Sequence, residues 1–290
     1  MSLTTTSQEW LTGTGPRGVA AAVTRRHIAA ETSADVDAIC ATIASDVFFA
    51  VPVRTRAGQE LREGTVLPGA EQVRSYYEGR SGSYVVRESA QVKSVTTDWY
   101  VFNESAASLL GTGVVGDLDA TGLEWVVNSA VLFPAAPDGI RGEICATRLP
   151  MDDVIRGTLP TPPAGRSSLD LERAHGALLD RFAAAARAGD WAGAATEMSA
   201  AHTLAVRVDA IGAPAAVHSA TGRDASSACL PSLFGDAADL TLLVRVTTEW
   251  YLFAEYLVAQ RAGGSRRLAL IQPVDAGKVI GTFGYGRDEA

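Results

Sequence analysis

Two side chains stand out as candidates for acid–base chemistry. Asp46 precedes the apolar run Val47-Phe48-Phe49-Ala50-Val51, and His202 precedes a second run, Thr203-Leu204-Ala205-Val206-Arg207. A carboxylate or imidazole beside an apolar strand has its pKa moved by burial and neighbouring charge, which suits it to proton exchange. Asp46 and His202 are the expected catalytic residues, one in each half of the chain. Asp46 also has a plain structural use, because Asp favours helix-to-strand junctions.

A small-molecule pocket needs a few polar groups among apolar walls. Tyr76 and Tyr77 offer phenols on a short helix, one of them facing the core. Asn128 interrupts the apolar stretch Trp125–Leu132, where a buried amide must find partners. Asp209 and His218 flank the second-half strand and the helix after it. Tyr100 and Glu104, with Tyr251 and Glu255, come from two near-identical strings. On a strand, Tyr100, Phe102 and Glu104 point one way, as do Tyr251, Phe253 and Glu255. Glu104 and Glu255 are then either salt-bridged core residues or pocket carboxylates walled by aromatics. His27 and His175, on the first helix of each half, read as surface or satisfied histidines. Aligning the ends of those helices sets His27 opposite Phe182, not opposite His175.

Other chemistries are excluded by context. Gly13–Gly18 lacks a leading strand, and Gly111–Gly116 leads into the turn Asp117–Gly122 where a dinucleotide fold needs a helix. The four histidines form no HxxxH or HExxH pair, and no GxSxG is present. Cys40, Cys145 and Cys229 form no CxxC pair and no disulfide framework, so no metal and no cofactor are expected. The net charge of −8 argues against nucleic acid. No apolar run approaches the roughly 18 residues of a membrane span, and none near the start reaches the roughly 7–15 of a signal peptide. A cytoplasmic, reduced protein is expected.

The elements that position these residues come in two copies. Val95–Glu104 reads VTTDWYVFNE and Val246–Glu255 reads VTTEWYLFAE, with 7 of 10 positions identical and an offset of 151 (246 − 95). Each half runs helix, helix, strand, helix, then four strands. The pattern predicts helices over Val19–Glu31, Ala34–Ala44 (capped by Ser33) and Glu71–Glu78. In the second half it predicts helices over Leu169–Arg187, Trp191–Ala200 (capped by Asp190) and Asp224–Leu233. Between the halves, the Pro- and Gly-rich stretch Gly157–Gly165 can be neither helix nor central strand. The expected domains are 16–150 and 169–287, joined by a linker over 151–168. Such an order gives an α+β fold.

The stretches Asp46–Val53, Gly69–Tyr77 and Asp98–Ala106, with Gly189–Met198 and Glu249–Tyr256, resemble the nuclear-transport-factor-2-like superfamily, of the SnoaL-like sort. That resemblance implies two tandem cone-shaped domains, each a curved antiparallel sheet wrapped on helices, paired as an internal pseudo-dimer. It implies a pocket for a small apolar molecule, and either a lyase, isomerase or hydrolase working by acid–base chemistry or a non-catalytic binding or scaffold protein with filled pockets. The ketosteroid-isomerase branch carries its general base immediately before a proline. Val51, ahead of Pro52, holds that place here. Expected partners are a small molecule, the other domain and a further copy of the chain, with no nucleic acid and no membrane.

Overall fold

The computed structural model describes residues 15–55, 58–61, 65–115, 118–148 and 169–289. The expected linker lies outside them. Among the described residues, 15–51 and 65–148 form one compact unit. The second comprises 169–289 together with the short hairpin segment 52–55 and 58–61.

In the first unit, helix α1 (Gly15–Ser33) is followed by α2 (Val36–Cys40) and strand β1 (Ile43–Ala50). After the hairpin strands β2 (Val53–Thr55) and β3 (Gly58–Glu60), which belong to the second unit, the first unit continues with β4 (Val66–Leu67) and helix α3 (Ala70–Ser83). The long strands are β5 (Tyr84–Thr96), β6 (Tyr100–Gly111), β9 (Glu124–Ala136) and β10 (Gly139–Thr147), with β7 (Val114–Val115) and β8 (Leu118–Asp119) as a small hairpin before β9. The second unit has helices α4 (Leu169–Ala188), α5 (Trp191–Thr196) and α6 (Arg223–Phe234). Its strands are β11 (Met198–Asp209), β12 (Ala216–Thr221), β13 (Ala237–Thr247), β14 (Tyr251–Gln260), β15 (Ser265–Asp275) and β16 (Lys278–Glu289).

The two six-stranded sheets repeat one topology, β4-β1-β10-β9-β6-β5 and β12-β11-β16-β15-β14-β13. The α+β class holds in both units. The sheets are mixed, where purely antiparallel ones were expected, because β1 pairs in parallel with β10, and β11 with β16. Each of those pairs joins the first and last long strands of its unit, and the elements between supply the crossover that parallel pairing needs.

The repeated string has a structural cause. Thr97 Oγ1 accepts the backbone N–H of Trp99 (3.4 Å) and Tyr100 (3.2 Å). Thr248 Oγ1 does the same for Trp250 (3.2 Å) and Tyr251 (3.0 Å). Each Trp then packs edge-on against the next Tyr, with ring centroids 4.9 Å apart in the first unit and 4.6 Å in the second. The string therefore encodes the turn between two paired strands.

Both short helices are capped by aspartate. Asp35 Oδ1 accepts the N–H of Ala38 at 3.0 Å, and Asp190 Oδ1 that of Gly193 at 2.8 Å. Ser33, the expected cap, instead ends α1. Ala34 at φ 55° and Gly189 at φ 66° make the left-handed turns between the helices. The second helices are shorter than expected, because Ile43 pairs with Ile140 and Met198 with Val279. Strand pairing there overrides alanine's helix preference.

Candidate functional site

The caps and the strand register make the two units comparable position by position. Asp35 with Asp190 places His27 opposite Phe182 and Glu31 opposite Ala186. The N-cap glycines of α3 and α6, Gly69 and Gly222, place Tyr77 opposite Leu230 and Arg80 opposite Leu233. Phe49 pairs with Glu143 as Leu204 pairs with Thr282, so those two strand positions correspond. Five positions between the helices and the sheet are thus His, Glu, Tyr, Arg and Glu in the first unit. In the second they are Phe, Ala, Leu, Leu and Thr.

In the second unit those apolar residues join one continuous core. Phe182, Leu230, Leu233, Phe234, Tyr256 and Leu268 are all fully buried in it. The equivalent interior of the first unit is a polar cluster. His27 and Glu31 lie one turn apart on α1, Tyr77 and Arg80 on α3, and Glu143 on β10. His27 Nδ1 sits 2.7 Å from Thr42 Oγ1, whose single hydrogen goes to the Ile39 carbonyl at 2.6 Å. Thr42 must therefore accept and His27 donates from Nδ1, which turns Nε2 inward toward Tyr77 and Glu143. Gly139, at φ 150°, lets β10 begin against this loop; a Cβ there would lie 2.8 Å from Thr42 O.

The Tyr77 hydroxyl stands at the centre. It is 2.8 Å from Glu143 Oε2, 3.1 Å from Glu31 Oε1 and 3.4 Å from His27 Nε2. Arg80 Nη1 donates to Glu31 Oε1 at 2.5 Å, and its guanidinium lies over the rings of Tyr77 (5.4 Å) and Tyr84 (5.7 Å). Burial would raise the Glu143 carboxyl. The nearby His27 ring, the Arg80 charge and the Tyr77 hydroxyl outweigh it and hold the pKa below the ordinary carboxylate value. Glu143 is thus ionised at neutral pH. Burial, then the charges of Glu143 and Glu31, push the Tyr77 phenol well above its usual pKa, so it remains a donor. A small cleft, lined by Glu31, Ile39, Tyr77, Arg80, Tyr84 and Val86 among others, opens beside the cluster with room for about one water molecule.

Of the expected site residues, only Tyr77 and its neighbour Tyr76 reach this cluster. Tyr76 packs edge-on against Tyr77 with ring centroids 5.4 Å apart. Asp46 lies elsewhere: it is exposed, on the sheet face away from the helices, and its two oxygens accept from Arg141 Nη1 at 2.9 and 2.7 Å. Strand alternation turns it outward, since its neighbour Val47 takes the core side. His202 is fully buried in the second unit, with Nε2 3.0 Å from Thr282 Oγ1, and burial lowers its pKa to about 3. A neutral imidazole with so low a pKa is a poor base near pH 7. Its Nδ1 and the nearby Gln272 Oε1 have no protein partner.

The aromatic strands also turn away from the helices. Val131 and Phe133, which pack against Val23 of α1, pair with Asn103 and Val101, so Tyr100, Phe102 and Glu104 take the opposite face. Tyr256 and Ala254 belong to the second core, which puts Tyr251 and Glu255 on the far face there too. Glu104 lies 3.8 Å from Lys93 Nζ, and Glu255 accepts from Arg267 Nη2 at 2.5 Å. Asn128 pairs with Ala106 on that same outer face and is half-buried. Asp209 accepts from Tyr285 at 2.6 Å and from Arg207 at 2.7 Å at the end of β11. His218 is on strand β12; burial, then the Arg266 charge, lowers its pKa.

His27, Glu31, Arg80 and Glu143 were missed by sequence reasoning. The available signal was the alignment of helix ends, which already paired His27 with a phenylalanine.

No protein-family model matches the sequence, and no curated protein matches it. Solved structures similar to this chain include an NTF2-like protein from Anabaena variabilis, with 12% identity and a TM-score of 0.36, covering 47% of this chain and 92% of its own. A protein with a ketosteroid isomerase-like fold from Catenulispora acidiphila covers 48% of this chain and 97% of its own, with 17% identity and a TM-score of 0.35. An LEH-like epoxide hydrolase from M. tuberculosis covers 47% and 89%, with 13% identity and a TM-score of 0.34. Among the described residues, no helix is long and apolar enough to cross a membrane.

Proposed function

We propose that this chain binds a small molecule through its first unit and acts on it by proton transfer, as a lyase, isomerase or hydrolase of the SnoaL-like type. The second unit is a filled structural copy. The observation that supports this reading is the exchange of five interior positions, polar in one unit and almost wholly apolar in the other. Burying five polar side chains costs stability unless they are partnered, and an apolar core of the same fold exists in the same chain.

The roles follow from the geometry. His27 Nε2, turned inward by the Thr42 contact at Nδ1, takes the proton. Ionised Glu143, whose Oε2 is 3.9 Å from Nε2, stabilises the imidazolium that forms. Tyr77 donates a hydrogen bond to negative charge developing on the substrate. Arg80 and Tyr84 stand at the cleft and must shift to admit a ligand, because the interior holds about one water. That narrow interior favours the alternative of a non-catalytic binding protein, which the same experiment separates.

The test is a thermal-shift screen of the full chain with steroid, terpene and polyketide fragments. At 100-fold excess over Kd, a ligand stabilises by about 2.7 kcal/mol, which is about 5–10 °C for a unit of this size. The shift should survive His202→Leu and disappear in Glu143→Ala. A shift lost in His202→Leu and kept in Glu143→Ala contradicts the assignment. Binding without turnover of the bound fragment supports the non-catalytic reading.

A further inference from the structure

The cluster in the first unit gathers three metal-ligating side chains around one phenol. Thr42 fixes the His27 ring with Nε2 turned inward. Glu31 and Glu143 contribute carboxylate oxygens. The Tyr77 hydroxyl has one hydrogen for three acceptors at 2.8, 3.1 and 3.4 Å, so at most one of them is served. Arg80 serves Glu31 alone among the three. His27 and Glu143 are buried, and Glu31 has only 13% of its side chain exposed, so solvent does little to make up the deficit.

One imidazole nitrogen and two carboxylate oxygens, from His27, Glu31 and Glu143, lie within 4.8 Å of one another. His27 and Glu31 are one turn apart on α1 and share a face, while Glu143 comes from β10. The Nδ1 hydrogen bond to Thr42 fixes ring orientation and tautomer, the support that metal-bound imidazoles characteristically have. We propose that His27, Glu31 and Glu143 form a binding site for a first-row divalent cation such as Zn²⁺ or Mn²⁺. Nitrogen–oxygen donor sets of this kind suit those ions, whereas all-oxygen shells suit Ca²⁺ and Mg²⁺. Ordinary bond lengths of about 2.0–2.2 Å require the three side chains to close inward. The Tyr77 hydroxyl stays as a neighbouring donor. Glu31 bridges the ion and Arg80, as a carboxylate with two oxygens can. The second unit offers no equivalent, because Phe182, Ala186 and Thr282 occupy the three positions.

This site rests on the proposed function only in placing the working cluster in the first unit; in the ion-bound chain His27 Nε2 is a ligand and is not the proton acceptor, and the test reads metal content. The full chain is stripped with chelator, dialysed against Zn²⁺ or Mn²⁺, and analysed by elemental analysis and calorimetry. About one tightly bound ion per chain is expected, with affinity at least about 100-fold lower in Glu143→Gln and in Glu31→Gln. Circular dichroism checks that the variants fold. In case His27→Gln fails to fold, electron paramagnetic resonance of the wild-type protein loaded with Cu²⁺ reads the histidine, and coupling to a single imidazole nitrogen is expected. Sub-stoichiometric binding, equal binding by a folded Glu143→Gln, or a spectrum without nitrogen coupling overturns the site. So does ¹⁵N NMR showing His27 Nε2 protonated at neutral pH whether or not the ion is supplied, since a proton then fills the gap. Fragment binding by chelated protein with no metal uptake would sink the cation site and leave the proposed function standing.

Discussion

Tyr77→Phe and Glu143→Ala, singly and together, give the sharpest energetic test of the buried cluster. Tyr77 donates to the Glu143 carboxylate at 2.8 Å, and both groups are buried. A hydrogen bond to a charged acceptor contributes about 1.5–3 kcal/mol, and leaving a buried acceptor unserved costs a similar amount. Each single change should therefore destabilise the first unit by about 2 kcal/mol, a fall of about 4–8 °C in Tm. Once Glu143 is gone, Tyr77 retains only the longer contacts to Glu31 at 3.1 Å and His27 Nε2 at 3.4 Å, so its removal matters less. The double-mutant cycle should show coupling of about 1–2 kcal/mol. The assay is urea denaturation followed by circular dichroism, repeated across pH. The folded Glu143 pKa lies below its unfolded value, so its contribution is complete above about pH 4.3 and is lost as pH falls through the folded pKa. The wild-type advantage over Glu143→Ala should shrink over that acid window. Coupling below about 0.3 kcal/mol would refute the network, because distant, independent sites already reach that level of additivity.

Other changes separate the two units. Phe182→Ala should cost about 3–5 kcal/mol by chemical denaturation, since it empties the centre of the second core. Tyr256→Phe should be neutral or mildly stabilising in the same assay, because its buried hydroxyl has no partner. His202 has a folded pKa of about 3, below the unfolded value near 6.5, so its contribution is present above about pH 6.5 and lost toward pH 3. His202→Leu should remove up to about 1.4 kcal/mol per pH unit of acid sensitivity in that window, read as the slope of stability against pH. Asp46→Ala should change stability by no more than about 1 kcal/mol and leave ligand-induced thermal shifts intact, since its pair with Arg141 is largely exposed.

The architecture was legible because the two copies share a turn-forming string whose threonine, tryptophan and tyrosine each have a local hydrogen-bonding or packing reason to persist. The site was hidden by drift in the spacing. The offset between halves is 155 at the helix caps (190 − 35), 153 at the α3 and α6 caps (222 − 69), 151 at the aromatic strands (251 − 100) and 139 at the last strands (282 − 143). A single offset of 151 therefore never sets Glu143 beside Thr282. The β7–β8 hairpin before β9 accompanies the largest step. Asp46 misled for a different reason. Strand alternation decides which way a residue points, and one register step separates outward Asp46 from core-facing Val47. Glu104 and Glu255 repeat because both serve paired, buried positions on the outer sheet faces, and repetition of that kind marks structure.

Chemical-shift mapping of an isotopically labelled full chain with a stabilising fragment tests the central claim most directly. Perturbed resonances should gather on Glu31, Tyr77, Arg80, Tyr84 and Glu143 and leave Leu230, Leu233 and Tyr256 unmoved. Perturbations centred on Leu230, Leu233, Tyr256 and Gln272 instead would show that the working interior is in the other copy.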